Sequence, residues 1–437
     1  ALTPITLTAR VQHEGGSQVA AGLPAAFYVD GALIGTAATT HVLNAGQSET
    51  VSVVWDAAGP GDYQLRIVLN DDGTGAAPLN LCTAPPEVQQ TISILDMPLV
   101  EGWNLISSYV NPFTTDASVV QLPIAGQYVV IQSFDQGAQS YYPDLPPQVN
   151  TLKDIEAEHG YWVKVKPAGT QGNSGESKGT HRVSPEFLRI PTSSSEPPRA
   201  FWRFVGTKFA EDRPIELDAG WNLVSYLPRT SMPITQALQS IDGQYTAVLG
   251  FDQGALSYYP DIDPSFNTLH EMEPLHGYWI KMAQAGTLQY PTTTQGDFGE
   301  LWVAQGNSGS ASPPSSLKFL RVPPSPAWVN FYGTAHLPDG MPLPVGTTVL
   351  ALDSDGVMCG STVVTIEGQY GLLACYGDDP TTPEDEGAQP GDTIQLVAEG
   401  QVLAIGTWTE HGDRQWRPLG KVEVWQVYLP LIRKGIR

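Results

Sequence analysis

AGQYVVIQSFDQGAQSYYPD at residues 125–144 returns as DGQYTAVLGFDQGALSYYPD at 242–261. The same duplication carries EGWNLISSYV (101–110) into AGWNLVSYLP (219–228), and NTL (150–152) and HGYW (159–162) into 267–269 and 276–279. From Gly126 the offset is a constant 117, and 26 of the 45 positions up to Thr170 are identical in both copies, which marks a repeated supersecondary unit. Each copy reads as a strand, a short helical turn, a hairpin around DQGA, a Pro-rich loop, a second helical turn and a closing strand. The shared residues are mostly aromatics, Gly, Asn and Pro. A small module builds its core from a few bulky rings, because each buries about 150–250 Å². Asn104 and Asn222, each next to a Trp, are placed to lock a turn through side-chain-to-backbone bonds. Tyr141, Tyr142, Tyr258 and Tyr259 admit two readings, hairpin packing or a platform on which a sugar stacks.

Outward from the repeat, the flanks read as strands. AAFYVDGALIGTAATTHVL is a hairpin whose Asp30-Gly31 pair permits positive φ in a tight turn. SETVSVVWDAAG alternates with period two, and GDYQLRIVLN follows. Short strands at this spacing spell a β-sandwich. From WVNFYGTAHL onward the same pattern resumes. The fold class expected is mainly β: an N-terminal Ig-like β-sandwich (1–96), two homologous small β-rich repeat modules with their linkers (97–199 and 200–316), and a C-terminal β-sandwich (317–437). A fainter repeat relates QGNSG at 171–175 to 305–309, FLRIP at 187–191 to FLRVP at 319–323, and AFWRFVGT at 200–207 to AWVNFYGT at 327–334. PTSSSEPP and SGSASPPSS within these stretches are linker-like.

Through FYVDG, IGT, SETVSVVW and GDYQLRIVLND, most of residues 1–95 resembles a bacterial cell-adhesion-related, Ig-like family often called CARDB. That resemblance implies a fold and says little about a task. The tandem GWNL to GYW modules, over roughly 97–290, resemble those of large secreted or surface-displayed proteins of environmental filamentous bacteria, and imply no catalytic role. The last sandwich resembles the small Ig-like domains that often end such proteins, and VYLPLIRK resembles a C-terminal motif seen on them.

Acidic residues number 45 against 22 basic, for a net charge of −23. So few Lys and Arg cannot release the counterions on which nucleic-acid binding depends, and nucleic acid is excluded as a partner. No apolar run reaches the length of a membrane-spanning helix. The start at Ala1 fits a removed signal peptide, and a trimmed chain equally. Together with the strands, the linkers and the low Lys content, it leads to an expected extracellular or cell-surface location. Cys359 and Cys375 flank STVVTIEG and QYGLLAC, and a hairpin there would bring both thiols together as a disulfide. Two buried free thiols are the alternative. Cys82 is then the odd one, free or paired between chains.

Candidate sites are few. His270, Glu271 and His276 fail the zinc-protease pattern, because the histidines are six apart with Pro274 between them. His159 and His276, which precede GYW in both copies, fit a structural hydrogen bond. Asp353, Asp355, Asp378 and Asp379 lie in loops that could supply the hard oxygens calcium needs, or are ordinary solvated turns. No cofactor is expected unless calcium occupies these loops. The carboxylate pairs Asp154/Glu156 and Glu271/Glu273 would serve glycoside hydrolysis only across a cleft, and a short helical turn sets them side by side at the surface. No nucleophile elbow or phosphate loop is present.

The reading that results is a non-catalytic extracellular structural protein, a cell-surface or filament/sheath subunit that self-associates into a polymer or surface layer. The strand-like, apolar ends ALTPITLTA and KVEVWQVYLPLI either complete their own sandwiches or add to a neighbouring sheet edge, and in the second case Val422, Val424, Trp425, Val427, Leu429 and Leu431 form the assembly strand. The alternative is a secreted adhesin or carbohydrate-binding protein that holds a polysaccharide on the module aromatics.

Overall fold

The structure, a computed structural model, describes residues 4–56, 59–75, 78, 86–146, 148–167, 198–292 and 322–420. Among the described residues strands make up 50% and helix 5%, in chiefly antiparallel sheets, so the fold is mainly β. Two compact units divide the chain: Ala1–Gln244 with Glu271–Thr293, and Tyr245–His270 with Thr294–Arg437.

The first unit opens with a sandwich. Ser48–Trp55 pairs with Ile5–Gln12, and its alternation turns Val51, Val53 and Trp55 inward. They meet Phe27, Ile92 and Ile94 of a six-stranded sheet in one core. Within that sheet Pro24–Val29 and Ala32–Ala38 form the expected hairpin, with Asp30 and Gly31 both at positive φ (49° and 82°). The 13-residue strand Glu87–Leu99 spans two cores. Gly61–Leu69 lies along its sandwich side, while Ala200–Lys208 pairs with its later residues. Trp202 and Phe204 then join Leu95, Met97 and Leu99 in the core of the first GWNL/GYW copy. The limit drawn at 96/97 falls inside this strand.

In that copy Gly102–Ser107 pairs with Gly160–Val165, which pairs in turn with Tyr128–Phe134, and the hairpin closes on Ala138–Tyr141. The DQGA turn is made by Gln136 at φ 53°, and in the second copy by Gln253 at φ 51°. Shared asparagines do the locking. Asn104 Nδ2 donates to the carbonyls of Val100, Gly102 and Val163, and its Oδ1 accepts from Val100 N. Asn222 repeats the local bonds with Asp218 and Gly220. The expected second helical turn is absent from the described residues of both copies. Asp154 sits in an isolated bridge with Asp116, and Glu271–Met272 pairs as a strand with Met232–Pro233. Leu152 and Ile155 mimic helical spacing, yet they are buried outside any helix while Asp154 and Glu156 are exposed.

Within the first unit the GWNL and GYW strands of the two copies meet reciprocally. Ile106 bridges His276 and Val224 bridges His159. Ser107 N donates to the Leu275 carbonyl at 2.9 Å, and Ser225 N to the Glu158 carbonyl at 3.2 Å. This is the isologous logic of a twofold dimer, fused into one chain. Gly160 and Gly277 make the approach possible. A Cβ on Gly277 would stand 2.7 Å from the Ile106 carbonyl oxygen and 3.3 Å from Gly160 Cα, and one on Gly160 would stand 3.0 Å from the Val224 carbonyl oxygen.

The second unit is a sandwich joined by the hairpin Tyr245–Phe251 and Ala255–Tyr258. Trp328–Thr334 lies between Gln369–Tyr376 and Arg414–Trp416. The facing sheet runs Met358–Val363, Thr348–Leu352, Thr393–Ala398, Gln401–Thr407. Phe331, Val349, Tyr370, Leu373 and Ile394 fill the space between them. Cys359 and Cys375 are bonded, with Cα atoms 4.6 Å apart. The expected hairpin is corrected: Met358–Val363 takes its partner from Thr348–Leu352, so the two cysteine strands lie in opposite sheets and the disulfide crosses the core. On the hairpin side, Trp328 packs on Phe251, and Asn330 Nδ2 donates to Ser257 Oγ and Tyr259 Oη.

Candidate functional site

The four module tyrosines are used largely in packing. Tyr141 is 9% exposed and belongs to the first copy's core, and Tyr142 is half-buried. Tyr259 is 1% exposed; its hydroxyl donates to the Gly412 carbonyl at 3.0 Å, and the Arg414 guanidinium lies 4.4 Å above its ring. Burial holds that hydroxyl well above the usual tyrosine range. Tyr258 is half-buried against Tyr245. The NTL motif positions both pairs: Asn150 bonds the backbone N and O of Tyr142 at 2.8 and 3.2 Å, and Asn267 repeats both distances on Tyr259. Neither pair therefore offers two exposed rings.

The acidic loops are organised by their own backbone. Asp353 is buried, and its Oδ1 accepts from Asp355 N and Val357 N. Asp379 Oδ1 accepts from Thr381 N and Oγ1, and Asp378 Oδ1 from Glu386 N. Asp355 is exposed. Desolvation, followed by Asp353 and Asp378, raises the pKa of Asp385, and Glu386 is raised chiefly by desolvation. Among the described residues no group of three or more His, Cys, Asp or Glu is arranged to hold a metal ion. The residues Val422, Val424, Trp425, Val427, Leu429 and Leu431 lie outside the described residues, as does Cys82. Among the described residues no helix is long and apolar enough to cross a membrane.

His159 and His276 contribute through their backbone: His159 N and His276 N close turns on Glu156 O and Glu273 O, and the His276 carbonyl accepts from Ser107 Oγ. The neighbouring tyrosines complete the lock, Tyr161 Oη accepting from Glu156 N and Tyr278 Oη from Glu273 N, both at 2.7 Å.

A cleft of about 350 Å³ in the second unit was not anticipated from the sequence. Asp261, Ile262, Asp263 and Phe266 of the second copy's Pro-rich loop form one wall, and Tyr332, Thr334, Gln369 and Trp416 the other. Three rings meet there edge to face: Phe266 with Tyr332 at 5.2 Å, Tyr332 with Trp416 at 5.3 Å, Phe266 with Trp416 at 6.3 Å. Phe266 is buried, Tyr332 half-buried, and Trp416 47% exposed. Asp261 is gripped by Arg414 Nη2, 2.5 Å from each carboxylate oxygen. Asp263 caps the 3-10 turn Pro264–Phe266 by accepting from Ser265 N and Oγ, and these bonds lower its pKa. The signal that could have found the cleft is what the repeats do not share. Asp263 and Phe266 stand where the first copy has Pro146 and Val149, and Tyr332 stands where AFWRFVGT has Val205.

Comparison of the chain with family models, with curated proteins and with solved structures finds no match.

Proposed function

We propose that the chain is a non-catalytic extracellular structural protein, a cell-surface or filament/sheath subunit that assembles through β-strand or module-to-module contacts. One observation carries this reading: the residues shared by the two copies serve packing and reciprocal edge contact, through Asn104/Asn222, Asn150/Asn267, Tyr161/Tyr278 and Gly160/Gly277. A duplicated enzyme or receptor module would be expected to repeat a cluster of reactive groups, and here the repeated groups face the backbone. The core-crossing disulfide supports an oxidising compartment. The net charge of −23 supports solubility outside the reach of nucleic acid.

The alternation of apolar residues from Val422 to Leu431 supplies a candidate strand for a neighbour's sheet edge. Head-to-tail addition of that kind is heterologous and grows an open polymer. Negative-stain electron microscopy of the protein with and without residues 422–437 tests this. Ordered fibres or sheets that vanish on truncation are expected. Isolated particles in both samples would overturn the reading.

A further inference from the structure

We infer that the Trp416 cleft is a binding site for a neutral polysaccharide. Its first requirement is a fixed apolar plane. Trp416 is nearly half exposed, yet Tyr332 and Phe266 meet it edge to face at 79° and 83°, so the indole is wedged rather than free. A pyranose presents a patch of C–H bonds on one face and hydroxyls around its rim, and a wedged indole is the complement of that face. The second requirement is polar groups at the rim. Asp263 spends only Oδ1 on Ser265, and among the described residues its Oδ2 accepts no hydrogen bond. The Gln369 side-chain amide and the Tyr332 hydroxyl likewise have no partner among the described residues. Asp261 is held in place by Arg414, so part of the rim is set before a ligand arrives. At about 350 Å³ the cleft falls in the size range of small-ligand sites, and its rings share the lining with polar side chains that can orient hydroxyls.

Other ligand classes fit less well. A quaternary ammonium needs rings standing about a central space, each roughly 6 Å from the cation. These rings instead pack on one another, with centroids 5.2–6.3 Å apart. An acidic polymer would meet Asp261, Asp263 and a chain of net charge −23. The duplication adds an independent argument. Asp263 and Phe266 replace Pro146 and Val149 within an otherwise closely repeated stretch, and Tyr332 replaces Val205 in the fainter repeat. Three departures from the repeat converge on one cleft, whereas the shared residues serve packing. This inference does not rest on the assembly reading, since a chain that forms no fibres would still bind.

The test is native affinity electrophoresis of the full chain through gels containing a soluble β-glucan, a mannan, a xylan or a polyuronate, with a proline-rich peptide titrated separately by tryptophan fluorescence. Retardation by at least one neutral polysaccharide is expected, with affinity falling about tenfold or more in Trp416→Ala, as for loss of a central aromatic anchor. Asp263→Asn keeps a capping side chain, so it should fold normally and still lose several-fold in affinity. Phe266→Val with Asp263→Pro, which restores the first copy's residues, should abolish retardation, while Val402→Ala on a remote strand should leave it intact. No retardation in any neutral gel, retardation unchanged in both Trp416→Ala and Asp263→Asn, or binding to the proline-rich peptide alone would overturn the inference.

Discussion

Ser107 and Ser225 hold equivalent places in the two copies, and only one of their hydroxyls is paired. Ser107 Oγ donates to the His276 carbonyl at 2.7 Å and accepts from Tyr226 N at 3.1 Å. Ser225 Oγ is fully buried and has no partner among the described residues. The reciprocal interface is therefore twofold in its strands and asymmetric at its centre. A satisfied buried hydroxyl and an unsatisfied one respond oppositely to removal. Ser107→Ala should cost about 1–3 kcal/mol, because it strands the Tyr226 amide, while Ser225→Ala should be neutral or stabilising. Equilibrium denaturation of both variants checks this, and equal losses would contradict it.

Asn104 and Asn222 allow a graded test of the turn lock. Both bond their local turn, but only Asn104 is shown reaching the neighbouring strand, at the Val163 carbonyl 3.3 Å away. Asn104 is buried and Asn222 half-buried. Replacement by Ala should cost about 1–3 kcal/mol at Asn104 and less at Asn222, where water can replace the lost bonds. The ranking is read from thermal unfolding, and the reverse order would contradict the account.

Because the Cys359–Cys375 bond joins opposite sheets across 16 residues, it tethers the two layers of the C-terminal sandwich. The double substitution Cys359→Ala with Cys375→Ala should lower stability by about 3 kcal/mol, the loop-entropy value for a loop of this size. Urea unfolding followed with and without reductant would show it. The oxidised protein should lose its advantage on reduction, and the variant should be indifferent to reductant.

Glu49 supplies a pH test in the N-terminal sandwich. Its carboxylate accepts from Thr40 Oγ1, Thr40 N and His41 N, and these bonds, the Thr40 hydroxyl first, hold its pKa at about 2 against an ordinary 4.5. The folded state thus binds its proton later than the unfolded chain. Its stabilising contribution is complete above pH 4.5 and is lost as pH falls toward about 2. Glu49→Gln should flatten the stability curve in that window at constant salt. Parallel curves for the two proteins would contradict the assignment.

Local chemistry was legible in the sequence wherever a short motif sets its own geometry. Asp30-Gly31 and DQGA make the turns they spell, Val51, Val53 and Trp55 alternate inward, and Asn104 locks its turn. What depends on partners distant in the chain was not legible. Met358–Val363 reads as half of a hairpin until Thr348–Leu352 is known to hold it. Glu87–Leu99 reads as the end of one domain, although Trp202 and Phe204, more than a hundred residues on, pack beside its last residues. The cleft draws its rings from Phe266, Tyr332 and Trp416, three separate stretches, and no spacing rule connects them.

Amide hydrogen exchange at Ser225 in the Gly277→Ala variant tests the reciprocal interface most directly. The added Cβ presses on the Ile106 carbonyl, beside the bond from Ser107 N to Leu275, while Ser225, the cross-strand partner of Gly277 in its own copy, holds the second bond between the copies through Glu158. If the two copies pack as one cooperative unit, Ser225 should lose protection together with Ser107. If Ser107 exchanges faster while Ser225 keeps the protection it has in the unsubstituted protein, the two halves are independent and the claim fails.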